Sequence, residues 1–409
     1  MTRPVREPGR TDIAAPRRIV VNGRFLAQTR TGVQRYGAET LCALDRCLGR
    51  EPDRLRATRF QLAVPLDAAV PMLEHFEIHT LPRLRGHLWE QVSLAQFARG
   101  AALVNFSYSG PVFKRAQLIT LHDAGTWADR DSYSWRYRLG HGLLVRWLAH
   151  HAARVMTVSE FSRTELTRHL GLAPERLAVG REGGEHARAE GNTMARVRRL
   201  GLQPGRYLLA VGSRKASKNL GLLGRALELL PDLSLPVAVA GSGDMGIFKG
   251  AQPLPRSLRL LGFVADSDLY ALYRHAAWFI LPSLYEGFGL PAVEAMANGC
   301  PVLAARAAAM PEVCGDAALY FDPQDATSLA GLLRQVSRDP DLRARQVALG
   351  ARRLRQYHWE ANAQVLLRQL FPPAGEEAAA APAPAAVPAA TPGGLDVPAV
   401  PPLGVANPF

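Results

Sequence analysis

The chain has 409 residues, 48% of them hydrophobic, and a formal net charge of +13, a length and apolar content that suit two or three packed domains of an ordinary globular protein. No apolar run approaches the roughly 18 to 20 residues that span a bilayer, and residues 1 to 18 hold five arginines without the apolar core of a signal peptide, so the expected location is cytoplasmic. Four cysteines, at 42, 47, 300 and 314, have neither zinc-site spacing nor the density of a disulfide framework, and the arginines spread along the chain without a nucleic-acid reader motif.

Residues 1–17 are polar and basic without periodicity, and Arg18 to Val21 reads as the first strand. The loop Ala27 to Thr31 leads to Gly32 and to a helix over Val33 to Cys47, with Val33, Tyr36, Thr40, Leu41 and Leu44 at helical spacing. Further strands are predicted at Arg59 to Val64, Ala102 to Asn105, Gln117 to Leu121 and Arg154 to Val158, with helices between them, which is the alternation of a doubly wound sheet. His122 and Asp123 directly follow one of these strands, at the carboxyl end where such sheets bind ligands. Between Arg130 and Arg154, Trp135, Tyr137 and Trp147 interleave with Arg136, Arg138, Arg146 and His150. That pattern fits either an ordinary surface helix or a basic aromatic helix lying on anionic lipid. The glycines between residues 180 and 200 suggest a hinge.

The second half restarts with a strand over Tyr207 to Val211, a turn from Gly212 to Asn219 and a helix from Leu220. Lysine occurs at only four positions in the chain, yet Lys215 and Lys218 share this turn with Arg214. Cations at a helix N-terminus are disfavoured by about 0.3–1 kcal/mol each, so three of them imply an anion such as a diphosphate. Val237 to Gly241, Leu258 to Gly262, Trp278 to Leu281 and Pro301 to Ala304 read as strands, and Asp266 to His275 as a helix. Asp266-Ser267-Asp268 has the spacing of a metal-binding DxD but precedes the helical run Leu269 to Tyr273 as a cap should, and Asp129-Arg130-Asp131 is read the same way. From Glu376 the chain is Ala/Pro-rich and free of Lys and Arg, a composition that cannot build a core.

The richest segment runs from Pro282 to Glu294. It is a strand, a glycine turn and a helix that set Glu286 on the loop and Glu294 inside the helix. Gly287 and Gly289 let backbone approach a ligand, and the N–H groups opening the helix can hold an anion. Glu286 could then bind sugar hydroxyls and Glu294 a ribose, although each alone also reads as a cap or a solvated face residue.

Residues 282–302 resemble the Glu-x7-Glu signature of retaining glycosyltransferases of family 4. Val21 to Leu26, Thr31 to Tyr36 and the helix at Trp359 resemble the same family in the same order, over roughly residues 18–371. The resemblance implies an α/β protein of the GT-B fold, two Rossmann-like doubly wound domains facing across a cleft. The expected divisions are a disordered N-terminus (1–17), an acceptor-side domain (18–185), a linker (186–200), a nucleotide-sugar domain (201–355), a helix returning to the first domain (356–372) and a disordered tail (373–409). Carried over by motif position, His122, Asp123, Lys218 and Glu286 are the expected catalytic residues. Gly32, Arg214, Lys215, Lys218, Phe263, Phe288, Gly289, Leu290 and Glu294 are expected at the donor.

Two segments depart from the family pattern. Ser213 stands where an arginine is usual, which leaves open whether Arg214 or Lys215 assists Lys218, and Arg181 to His186 replaces the usual Asn-Gly-Val-Asp. The implied activity is retaining, metal-independent hexosyl transfer from a nucleotide-diphosphate sugar to a glycan or lipid-linked acceptor in cell-surface polysaccharide or lipopolysaccharide assembly, with no cofactor and no nucleic acid partner. An inner-membrane surface is a further expected partner. A sugar-nucleotide epimerase or hydrolase, or an inactive donor-binding scaffold, are the alternatives on the same fold.

Overall fold

The computed structural model describes residues 18–372 except 83, 130–132, 214, 234 and 242–257. The N-terminal stretch 1–17, the tail from 373, Arg214, Arg130 and Asp131 therefore lie outside the described residues. Short aliphatic runs bounded by turn residues form strands Arg18–Asn22 (β1), Arg59–Val64 (β2), Glu77–Thr80 (β3), Ala102–Asn105 (β4), Gln117–Thr120 (β5), Arg154–Thr157 (β6) and Leu177–Val179 (β7). They make one parallel sheet in the order β3-β2-β1-β4-β5-β6-β7. The second parallel sheet is built from Leu208–Val211 (β8), Val237–Ala240 (β9), Leu258–Gly262 (β10), Trp278–Leu281 (β11), Val302–Ala305 (β12) and Ala318–Phe321 (β13), in the order β10-β9-β8-β11-β12-β13. Central strands such as β5, β9, β11 and β12 are buried along their whole length, as parallel strands covered by helices on both faces must be.

The two sheets share one plan. The strand after β1, and likewise after β8, steps outward to one side, and the chain later returns to pair on the other side with β4 or β11. Strand order therefore reverses between β1 and β4 and between β8 and β11, the places where open α/β sheets hold ligands. At the first of these, Glu90 is fully buried in a π-helical turn, Trp89–Leu94. It accepts from Asn22 Nδ2 at 3.0 Å and Ser109 Oγ at 2.8 Å and pairs with Arg24 at 2.8 Å. Burial pushes its carboxyl up, but the hydrogen bond to His87, the charge of Arg24 and the remaining hydrogen bonds outweigh that and hold it below the usual value.

Three strands have no counterpart in the sequence reading: β3, β7 and β13. All lie at sheet edges, where one side needs no partner and the apolar demand falls; β3 is largely exposed.

Helix Gly32–Gly49 begins at Thr31 with a reciprocal capping box to Gln34. Helix Trp359–Leu370, which follows the second sheet, packs along it. Asn362 Nδ2 donates to Thr40 Oγ1 at 2.8 Å, Arg50 pairs with Glu360 at 2.8 Å, and the Trp359 ring meets Tyr36 edge to face at 5.9 Å. Among the described residues no helix is long and apolar enough to cross a membrane.

Trp359 is 1% exposed, so truncating it opens a cavity where the last helix meets the first domain. Trp359→Ala is expected to lower stability by about 3–5 kcal/mol in urea unfolding; a loss under about 1 kcal/mol would show that this helix does not strap the fold.

Candidate active site

Beyond β11 the chain turns through Pro282 to Gly289 into helix Leu290–Ala297. Gly289 takes φ +95°, and a Cβ there would lie 2.0 Å from Met310 Cε, so the turn requires glycine. The parallel turn after β8 ends at Asn219, whose Nδ2 donates to the carbonyls of Pro282 at 3.2 Å and Pro323 at 2.9 Å. Leu284 N–H donates to Ser217 O at 2.8 Å. These bonds stitch the two turns at the second switch point and set Lys218 Nζ 2.6 Å from Glu286 Oε1, a largely buried ion pair. Lys215 points the other way, toward the first domain. Its Nζ donates to Tyr133 Oη at 2.9 Å, lies 4.3 Å from that ring's centroid and stands 3.3 Å from Asp129 Oδ2.

The first domain meets these turns through the segment after β5. His122 is buried, edge to face with Tyr36 at 4.7 Å. Its Nε2 is 2.9 Å from Phe106 O, and since a carbonyl only accepts, Nε2 carries the proton. Nδ1 faces Glu182 Oε1 at 3.9 Å. Burial pushes the Glu182 carboxyl up despite His122 beside it. Asp123 Oδ1 accepts from Gly125 N–H at 2.7 Å, and Asp123 N–H donates to Tyr108 Oη at 2.9 Å.

Direct bonds then join the domains. Gly287 O accepts from Ser159 Oγ at 2.5 Å and lies 2.9 Å from Ser162 Oγ, whose single proton is shared with His122 O at 2.8 Å. A Cβ on Gly287 would be 2.5 Å from His122 O, so this glycine admits the close approach of the first domain. Ala124 N–H donates to Tyr285 Oη at 3.1 Å. Glu312, from the second domain, accepts from Glu160 and Phe161 N–H at 3.0 and 2.9 Å, an anion at the N-terminus of helix Glu160–Leu170.

Glu294 is 4% exposed and both of its oxygens are engaged. Trp359 Nε1 donates to His186 Nδ1 at 3.0 Å, so His186 Nε2 carries the proton it gives to Glu294 Oε1 at 3.1 Å. Arg35 Nε stands 3.5 Å from the same oxygen, and Tyr273 Oη donates to Oε2 at 3.2 Å. Arg35 also pairs with Asp266 at 2.5 Å and donates to Tyr270 Oη at 2.8 Å. Asp266 is thus no cap: Ala265 occupies the cap position, and the carboxylate serves Arg35 and Arg30 instead. Burial opposes its charge, but the hydrogen bond and charge of Arg35, then those of Arg30, hold its carboxyl below the usual range.

The structure therefore brings Lys218, Glu286, Lys215 and the His122–Asp123 segment to one junction, with Glu294 one helical stretch away. Gly32 opens the first long helix beside open space. The side chains of Phe288 and Leu290 are core, Phe288 against Tyr357 at 5.5 Å, so any contact they make to a donor runs through backbone. Phe263 follows edge strand β10 and is exposed. Sequence reasoning missed Ser159, Ser162, Glu182, His186, Arg35 and Glu312. Arg35 lay inside a recognised motif, whereas the others act through contacts more than a hundred residues away in sequence or have no spacing signal. Among the described residues no three His, Cys, Asp or Glu side chains gather as metal ligands.

Residues 198–353 match the family described as glycosyl transferases group 1. Over 220 residues the chain is 32% identical to O-antigen chain mannosyltransferase B of Escherichia coli, covering 51% of this chain and 58% of that one. Over 337 residues it is 24% identical to O-antigen chain mannosyltransferase RfbU of Salmonella typhimurium, covering 79% and 92% respectively. The chain spans between about a quarter and little more than half of the length of the first curated relatives it matches. A sucrose-phosphate synthase from Thermosynechococcus elongatus shares the fold, with a TM-score of 0.66 at 18% identity over 87% of this chain and 99% of that one. Two parallel sheets, each reversing at a central strand, give this chain the GT-B fold, and the part of it that resembles the group 1 glycosyl transferases is residues 198–353, which carry the second sheet.

Proposed function

We propose that the chain transfers a hexose from a nucleotide-diphosphate sugar to a glycan or lipid-linked acceptor, with retention and without a metal, in cell-surface polysaccharide or lipopolysaccharide assembly. The observation that carries this reading is the Lys218–Glu286 contact at the second switch point. In the donor complex Lys218 exchanges Glu286 for the diphosphate, and the released carboxylate accepts from hydroxyls of the sugar. One interaction thus reserves both groups for the two halves of the donor. The second cation is Arg214 or Lys215, the other basic residues of this turn, and Lys215 reaches the diphosphate only by leaving Asp129. Fixed cations beside a leaving diphosphate stabilise the charge that develops as the glycosidic bond breaks, the role that metal-free transfer needs filled.

As the bond from the anomeric carbon to the β-phosphate oxygen breaks, its electron pair leaves with the diphosphate. The acceptor oxygen bonds to the same carbon, and its proton passes to the departing phosphate. His122 O and the Gly287 peptide border this junction, and Asp123 stands on its first-domain side. Glu294 receives the ribose hydroxyls in place of the hydrogens now given by His186 and Arg35. The named relatives are mannosyltransferases, which makes mannose on GDP or UDP the first donor to try.

Glu286→Gln and Lys218→Ala are each expected to lower turnover on the order of 10²-fold or more while the protein stays folded, and the double variant to lose less than the product of the two. Near-normal turnover in both single variants would defeat the assignment of this pair. Thermal stabilisation by a panel of UDP-, GDP- and dTDP-sugars is expected to single out one nucleotide, to be weakened in Lys218→Ala and to be unchanged by EDTA. Turnover abolished by EDTA and restored by a divalent ion would overturn metal independence, and a product that is free hexose or an epimer would replace transfer.

A further inference from the structure

We propose that Glu182 is a positioning residue for the transfer step: it shares one titrating proton with His122 and so holds the ring whose own carbonyl abuts the turn that carries Glu286. Glu182 stands in the segment Arg181 to His186, which departs from the family pattern, and the transfer step described above makes no use of it.

The segment follows β7 and is tied on both sides of Glu182. Gly180 N–H donates to Thr157 O at 2.8 Å, and Glu185 Oε1 accepts from Trp359 N–H at 3.0 Å. Glu182 lies between them and is 5% exposed. A carboxyl removed from water needs a proton or a cation beside it. Arg181 serves Glu312, 3.8 Å away, and His186 gives its Nε2 proton to Glu294. The base that faces Glu182 is His122, with Nδ1 3.9 Å from Oε1.

The proton count follows from the far side of the ring. Nε2 carries hydrogen because it meets the Phe106 carbonyl, so Nδ1 is either bare or protonated. A bare Nδ1 against an ionised carboxylate would set lone pairs face to face with little water to part them. One proton relieves this, either as a carboxylic acid facing bare Nδ1 or as a carboxylate facing an imidazolium, and both forms leave the pair neutral. Burial pushes the Glu182 carboxyl up against the pull of His122 and His186, and the charge of Glu294 adds to the rise. The other titratable groups around the pair are Tyr36, Tyr108 and Asp123. Burial pushes both tyrosine hydroxyls up, which keeps them uncharged, and Asp123 accepts from Gly125 N–H.

What the ring holds is the junction. His122 O would meet a Cβ on Gly287 at 2.5 Å, and it shares the Ser162 hydroxyl proton with Gly287 O. Ring and carbonyl belong to one residue, so a ring repelled by Glu182 would move the peptide against the turn on which Glu286 stands. The shared proton also removes a negative charge from beside a junction that takes a diphosphate. Both consequences rest on the transferase reading above, while the shared proton itself does not.

The test begins with nitrogen-15 NMR of the full chain labelled in its histidine rings, the His122 signals being assigned by their loss in His122→Gln. The neutral ring is expected to keep its proton on Nε2. The titration midpoint of His122 is expected to fall by about one pH unit or more in Glu182→Gln, because the imidazolium loses its counter-ion. Turnover is then measured with the nucleotide sugar that the stabilisation panel selects. Glu182→Ala is expected to lower kcat about tenfold or more with KM for the donor little changed. Glu182→Gln, whose amide can donate to bare Nδ1 without titrating, is expected to recover most of that rate. It is also expected to lose the fall in kcat at high pH, where the wild-type pair gives up its proton. A neutral ring protonated on Nδ1, a His122 midpoint unmoved in Glu182→Gln, or kcat in Glu182→Ala within about twofold of wild type overturns the proposal. Should Glu182→Ala not fold, the ring titrations of wild type and Glu182→Gln decide it. Failure of every nucleotide sugar to stabilise the protein would sink the transferase reading, and the same titrations would still settle the shared proton.

Discussion

The contact between Lys218 and Glu286 sets the condition under which the rest of the junction is built, because a largely buried charge cannot stand without a partner. The turns after β8 and β11 bring cations and carboxylates to the junction with the first domain. The chain resolves each charge internally: Lys218 by Glu286, Lys215 by Asp129, Glu294 by His186 and Arg35, and Asp266 by Arg35 and Arg30. Removing one partner of such a pair exposes the other to the full cost of burial. Any anion taken up at this junction has to displace one of these partners, since each charge is already engaged.

Contacts between the domains are of two kinds, and they differ in what it costs to part them. Around the junction they are polar: serine hydroxyls on Gly287 O, Glu312 on a helix N-terminus, Tyr285 on Ala124 N–H. Water can replace each of these with little net change in free energy. The last helix is joined differently, burying Trp359, Leu366 and Leu367 as it packs along helix Gly32–Gly49. Apolar surface of that kind has no substitute in water. The junction is therefore bordered by exchangeable bonds on one side and strapped by a hydrophobic helix on the other.

This division also explains what was legible in the sequence. Central strands such as Trp278–Leu281 are apolar throughout because both faces are covered, and their carboxyl ends mark where ligand chemistry belongs. The edge strand Glu77–Thr80 carries no such imprint, since its outer side meets solvent. Glu286 and Lys218 stand out through local spacing and turn chemistry, but that they pair with each other depends on Asn219 and Leu284 joining two turns some sixty residues apart. Glu294 was legible as a carboxylate in a helix and illegible as the partner of His186 and Arg35, because His186 lies in the segment after β7 and Arg35 in the first long helix, both more than a hundred residues away. Asp266 misled for the same reason: a helix-start position reads as a cap unless a distant arginine claims it.

Helix Trp135–His151 joins these themes, since its two edges face different media. Tyr137 and His141 on one edge pack toward Asp123, and Tyr133, just before the helix begins, receives Lys215. The other edge presents tryptophan and leucine to the outside. Because the turns of the second domain reach the first through Lys215 and Gly287, and Lys215 ends on Tyr133 just before this helix, a shift of the helix relative to its sheet would be felt on both sides of the junction.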